Sequence, residues 1–164
     1  MSDTRWLNAE EQQTWRSFLT ATRLFFDRVD RQLQNGAGLP HAYYEILTRL
    51  SEAPERTLRM SRLASTSLSS RSRLSHAVAR LEESGWVRRR PCPTDKRGQL
   101  AELTDEGFAR LAAAAPGHVE EVRSSLFDVL TPEQQRSLRE ISDALTAHLS
   151  DTPVWPAVAD RGPG

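Results

Sequence analysis

The chain has 164 residues, 38 % hydrophobic and 27 % charged, with 22 basic residues balancing 22 acidic ones. That is long enough to bury a core, and no apolar stretch approaches the ~20 residues that cross a bilayer, so no membrane partner is expected. A single cysteine, Cys92, excludes an intramolecular disulfide framework and a cysteine-cluster zinc site, and the four histidines have no metal-ligand spacing. No metal or cofactor is expected. Met1 to Arg5 lack the apolar core of a signal peptide, which makes the cytoplasm the expected location.

In chain order, Asn8 and Glu11 form a capping box that opens a helix. Trp15, Phe18, Leu19, Phe25, Phe26, Val29 and Leu33 then recur at helical spacing until Asn35-Gly36-Ala37-Gly38 stops them. A helix of about 25 residues exceeds the usual globular length, and its stripe suits a partner helix, including one from a second chain. Leu39-Pro40 opens a second helix with Tyr43, Ile46, Leu47 and Leu50 inward, ended by Pro54. Thr57-Leu58-Arg59 reads as a short strand and Met60 to Ala64 as a short helix, with a turn from Ser65 to Leu68. Ser69 or Ser70 caps the next helix, which keeps Leu74, Ala77, Val78 and Leu81 inward and ends at Gly85.

Two extended segments follow, led by Trp86-Val87 and by Gln99 to Leu103, around a turn-rich stretch from Pro91 to Gly98. They predict a hairpin with Asp95-Lys96-Arg97-Gly98 at its tip. Thr104-Asp105-Glu106-Gly107 restarts a helix, which Pro116-Gly117 breaks or kinks. Thr131-Pro132-Glu133-Gln134 starts a last helix, seamed by Leu138, Ile141, Leu145 and Leu149. Residues 151–164, rich in proline and glycine, read as a flexible tail, with Val154-Trp155 able to dock.

The zero net charge hides a separation. Residues 57–98 carry ten basic and three acidic side chains, leaving twelve basic and nineteen acidic elsewhere. A basic middle in an acidic frame suits a phosphate-binding module, although a solvated charged face gives the same count. The helix from Ser70 to Glu83 directs Ser70, Arg71, Ser72, Arg73, His76 and Arg80 away from its apolar face. These cluster toward its N-terminal half, where free backbone N–H groups favour phosphate and arginine can read guanine. Arg88 and Arg90 follow on the first hairpin strand, and Lys96 and Arg97 at a tip would suit the minor groove. Asp95 has two readings: it orients Arg97 or a recognition-helix arginine, or it simply makes the turn. No nucleophile–base pair, phosphate loop or metal set appears, so no catalytic residue is expected. A winged-helix module for protein assembly is the alternative, and it would want apolar residues on the exposed helix face.

The run Ser70-Arg71-Ser72-Arg73-Leu74-Ser75-His76, then Gly85-Trp86-Val87, the Asp95-x-Arg97 pair and Leu103-Thr104-Asp105-Glu106-Gly107 together resemble the MarR family of bacterial winged-helix regulators over residues 8–149. The resemblance implies a mainly α fold: a winged helix-turn-helix over 39–107, and a helical dimerisation region formed by the N- and C-terminal helices over 1–38 and 108–150. It implies a homodimer that binds a near-palindromic double-stranded operator, usually as a repressor. Many such dimers release DNA on binding a small aromatic or phenolic acid. For that effector Trp15, Arg16, Phe18, His41, Tyr43 and Tyr44 have the right chemistry, with core and dimer packing as the competing role. Trp86 departs from the smaller aliphatic usual there. Cys92 lies in the wing rather than in the first helix, where some relatives sense oxidants, and reads as structural filler or as a thiol activated by nearby arginines.

Overall fold

A computed structural model describes residues 4–67 and 70–150. The expected tail, with Val154 and Trp155, lies outside the described residues, as do Leu68 and Ser69. Helix α1 runs from Ala9 to Ala37, with the Asn8–Glu11 capping box formed and a left-handed Gly38 closing it. Helix α2 (His41–Glu52) leads through a single 3-10 turn into strand β1 (Thr57–Arg59) and helix α3 (Met60–Thr66). Helix α4 (Arg71–Glu83) is capped by Ser70, whose hydroxyl accepts the Arg73 N–H. Strands β2 (Val87–Cys92) and β3 (Asp95–Leu103) form the hairpin. Helix α5 (Asp105–Val122) passes into a π-helical turn (Arg123–Phe127), and α6 (Pro132–Leu149) starts from the Thr131–Gln134 capping box.

The three strands form one antiparallel sheet in the order β1-β3-β2, with Arg59 opposite Leu100 and Arg88 opposite Glu102. The core lies where α2, α3 and α4 meet this sheet and the C-terminal half of α1. Its fully buried members include Leu33, Leu39, Leu47, Leu50, Leu63, Leu74, Val78 and Leu81. By contrast, α6 buries none of its residues, and α1 buries only Val29 and Leu33. No helix among the described residues is long and apolar enough to cross a membrane.

Four expectations need correction. Of the break or kink expected at Pro116-Gly117, the break does not occur: helix α5 continues to Val122, because a proline removes one hydrogen bond while Leu111 and Ala114 stay packed. The hairpin turn is Pro93-Thr94 alone, so Asp95, Lys96 and Arg97 belong to β3 rather than to the tip. Cys92 pairs with Asp95 and Pro91 with Gln99, which leaves residues 96–98 as a bulge. Ser65 and Thr66 still belong to α3. On α2, Tyr44 is buried and Tyr43 only half-buried, because the face carrying Tyr44 meets α5.

Candidate nucleic-acid interface

Leu74, Val78 and Leu81 anchor α4 in the core, so Ser72, Arg73, His76 and Arg80 are left exposed on the other side. Ser70 is exposed at the cap. The side chains of Arg71, at the first helical position, and Lys96, in the bulge, lie outside the described residues. Arg80 pairs with Glu83 at 2.9 Å, toward the far end of the helix. Arg73 and His76 border an open groove of about 600 Å³ between α4 and α2, together with Tyr43 and Glu45.

The hairpin packs beside this helix. Arg88 and Arg90 project from one face of β2 and share a single carboxylate, Glu102 on β3, at 2.7 and 2.5 Å. Two guanidiniums on one carboxylate leave a net positive face. The two arginine side chains are more than half exposed while Glu102 is only 17 % exposed, so the carboxylate stays beneath the guanidiniums and their outer N–H groups face solvent, where a phosphate could meet them. Arg89 points the opposite way. Its backbone N–H donates to Glu82 at 3.0 Å and its guanidinium to the Ser75 carbonyl at 2.7 Å, tying the wing to α4.

At the wing, one Asp95 oxygen accepts the Arg97 backbone N–H at 3.0 Å. The other lies 3.5 Å from the Arg59 guanidinium, which also donates to the Thr94 hydroxyl at 2.9 Å. Asp95 therefore both shapes the turn and meets an arginine, but that arginine is Arg59 on β1, neither Arg97 nor one from α4. Arg59 and Arg97 line a groove of about 360 Å³ with Met60, Leu74, Ser75 and Asp95, so wing, α3 and α4 present one continuous surface. Cys92 is buried beneath it, and its hydrogen bond with Thr94 holds the thiol below its ordinary pKa range.

The six residues expected to meet an effector do not come together within one chain. Tyr44 and His41 flank His118 of α5, with ring centroids 4.4 and 6.1 Å away, and Phe26 of α1 sits 5.7 Å from His41. Tyr43 faces the α4 groove instead. Trp15 stacks with Phe18 at 6.3 Å, about three helical turns, or roughly 16 Å, from Phe26, and Arg16 is exposed beside them. The rise of a straight helix is what separates them. Arg59, Arg89, Glu102 and His118 were not singled out from sequence. For Arg89 the signal was present: strand alternation turns the middle of three arginines inward. No group of metal-ligating side chains exists among the described residues.

Residues 37–98, which span α2 to the wing, match the model of the MarR family. The transcriptional regulator PecS of Dickeya dadantii is 31 % identical over 136 residues, covering 80 % of this chain and 79 % of PecS. The chain belongs to the MarR family. It is accordingly a DNA-binding transcriptional regulator and not an enzyme. Among solved structures, the MarR family regulator Sco3205 of Streptomyces coelicolor, determined in complex with DNA, is 55 % identical. The match covers 93 % of this chain and 98 % of that one, with a TM-score of 0.87. AbsC, a MarR family regulator of the same organism, is 40 % identical over 89 % of this chain and 98 % of its own, with a TM-score of 0.84.

Proposed function

We propose that this MarR family regulator works as a homodimer that represses transcription by occupying a near-palindromic operator, with α4 in the major groove and the wing against the adjacent minor groove. The observation that carries the reading is that Arg97 of the wing lines one groove with Ser75 of α4, next in the helix to the exposed His76. Arg73, His76 and Ser72 would read base edges, with Ser70 and Arg71 at the helix N-terminus on phosphate. Arg80, Arg88, Arg90, Lys96 and Arg97 would supply backbone and minor-groove contacts, and Asp95 would shape the wing. The DNA complex of Sco3205, 55 % identical, supports this use of the fold. The exposed apolar seam of α6 supports a dimer. Residues 39–107 would then be the DNA-binding region and 1–38 with 108–150 the dimerisation region. Few apolar side chains on the exposed face of α4 speak against a protein-assembly module.

For an aromatic acid effector, the ring cluster in which His41 and Tyr44 meet His118 and Phe26 meets His41 offers aromatic faces beside imidazoles. Trp15, Arg16 and Phe18 are better assigned to the dimer.

The test is recovery of duplex DNA from a randomised pool by the purified protein, followed by sequencing. A near-palindrome with half-site centres about one helical turn apart, roughly 34–36 Å, is the expected result. No enrichment at low salt would defeat the operator reading.

A further inference from the structure

We infer that Arg59 is a positioning residue for DNA binding: it neutralises Asp95 and pins the Thr94–Asp95 corner, so that Arg97 is presented in the posture the wing needs. The inference rests on the reading of the wing as a DNA contact. A carboxylate at the edge of a phosphate-binding surface repels its ligand unless a cation offsets it. Among the described residues Arg59 supplies that cation, at 3.5 Å from one Asp95 oxygen, and its hydrogen bond to Thr94 holds the turn itself. The second Asp95 oxygen is committed to the Arg97 N–H. The carboxylate sits tightly: a Cβ at Gly98 would come within 3.0 Å of Asp95 Oδ2 and 3.2 Å of Cys92 Cβ. Arg59 is itself held in place from outside the hairpin turn, by the β1–β3 pairing that sets it opposite Leu100. The residues it contacts lie 35 and 36 positions away in sequence, so it is the link that fixes the wing tip to the start of α3.

Because both Arg59 and Asp95 are about half exposed, their pairing contributes little to stability. A positioning role therefore moves binding and wing order while leaving the melting transition in place. The experiment uses the full chain with Arg59→Ala, Arg59→Lys, Arg97→Ala and the Arg59→Ala/Arg97→Ala double variant. Affinity is read on the duplex enriched from the random pool, and amide exchange at Arg97 is read in the free protein. Arg59→Ala should bind about tenfold more weakly, Lys should recover part of that loss, and the double variant should be no weaker than Arg97→Ala, because the two act through one contact. Exchange at Arg97 should quicken in Arg59→Ala without DNA. Multiplying losses in the double variant would make Arg59 a phosphate contact in its own right and overturn the inference. So would unchanged Arg97 exchange, or normal binding by Arg59→Ala where Arg97→Ala is weak. Normal binding by Arg97→Ala would instead remove the wing reading, and the inference with it.

Discussion

Arg73 is the third residue of α4, exposed, on the turn whose backbone N–H groups Ser70 begins to cap. At that position a guanidinium can reach either a base edge or a phosphate. Under the proposed function Arg73→Ala should relax the sequence preference, at a cost of roughly 1–3 kcal/mol for a bidentate base contact. Repeating the random-pool selection decides it. An unchanged logo with uniformly weaker binding would put Arg73 on the backbone. Gly107 makes a different point at the same scale. A Cβ there would fall 2.1 Å from the Trp86 carbonyl oxygen and 2.8 Å from Leu103, where the start of α5 crosses the start of the wing. Alanine would gain up to about 1 kcal/mol of helix propensity. The clash is with backbone, which cannot swing away, so a net loss of about 2–4 kcal/mol is expected. A denaturant melt of Gly107→Ala measures it, and stability equal to the parent would mean that α5 shifts freely against the wing.

Between elements, the junction of α2 with α5 holds the clearest titratable group. Burial, and then the charge of His41, push the His118 imidazole below its ordinary value of 6.5. The groups facing it are His41 and Tyr44. The folded protein thus prefers neutral His118, and the unfolded chain takes up the proton first. This contribution to stability is complete above pH 6.5 and is lost as the pH falls through the lowered folded value. Melts between pH 8 and 5 should show this decline, and His118→Phe should flatten it. An equal slope in that variant would assign the decline to other groups. The same junction explains what could be read in the sequence. Capping boxes at Asn8 and Thr131, and the stop at Gly38, are local chemistry and were legible. Tyr44 was not, because α2 is covered on two sides and a single-stripe pattern favours Tyr43. Pro116 does not break α5, because packing along the helix outweighs one lost hydrogen bond. The wing contacts depended on pairing across the sheet: Glu102 faces Arg88 and Arg90 only once the β2–β3 register is set, and Arg59 reaches Asp95 only through β1.

Over the whole molecule, the basic stretch and the exposed apolar surface fall on different parts of the chain. The core gathers around α2, α3, α4 and the sheet, while Trp15, Phe18, Leu138, Ile141 and Leu145 are all between 40 % and 58 % exposed. An 18-residue helix with none of its residues buried has too little tertiary support to persist alone in water. In the proposed dimer a second copy would cover this seam and supply the missing burial, at about 1.5–3 kcal/mol for each large aliphatic side chain removed from water. Ile141 is the most exposed of the five, at 58 %, and lies mid-helix with no hydrogen-bonding role, so a charge there acts on the interface rather than on the fold. Ile141→Glu should therefore yield a folded monomer by sedimentation, losing at most the helical circular dichroism of the 18 residues of α6. Operator affinity should drop toward that of one half-site, and the loss should be far larger on the full palindrome than on an isolated half-site duplex. A dimer of normal strength with normal operator binding would place the two-fold contact elsewhere. A monomer that still binds the palindrome as tightly as the parent would separate DNA recognition from dimerisation altogether.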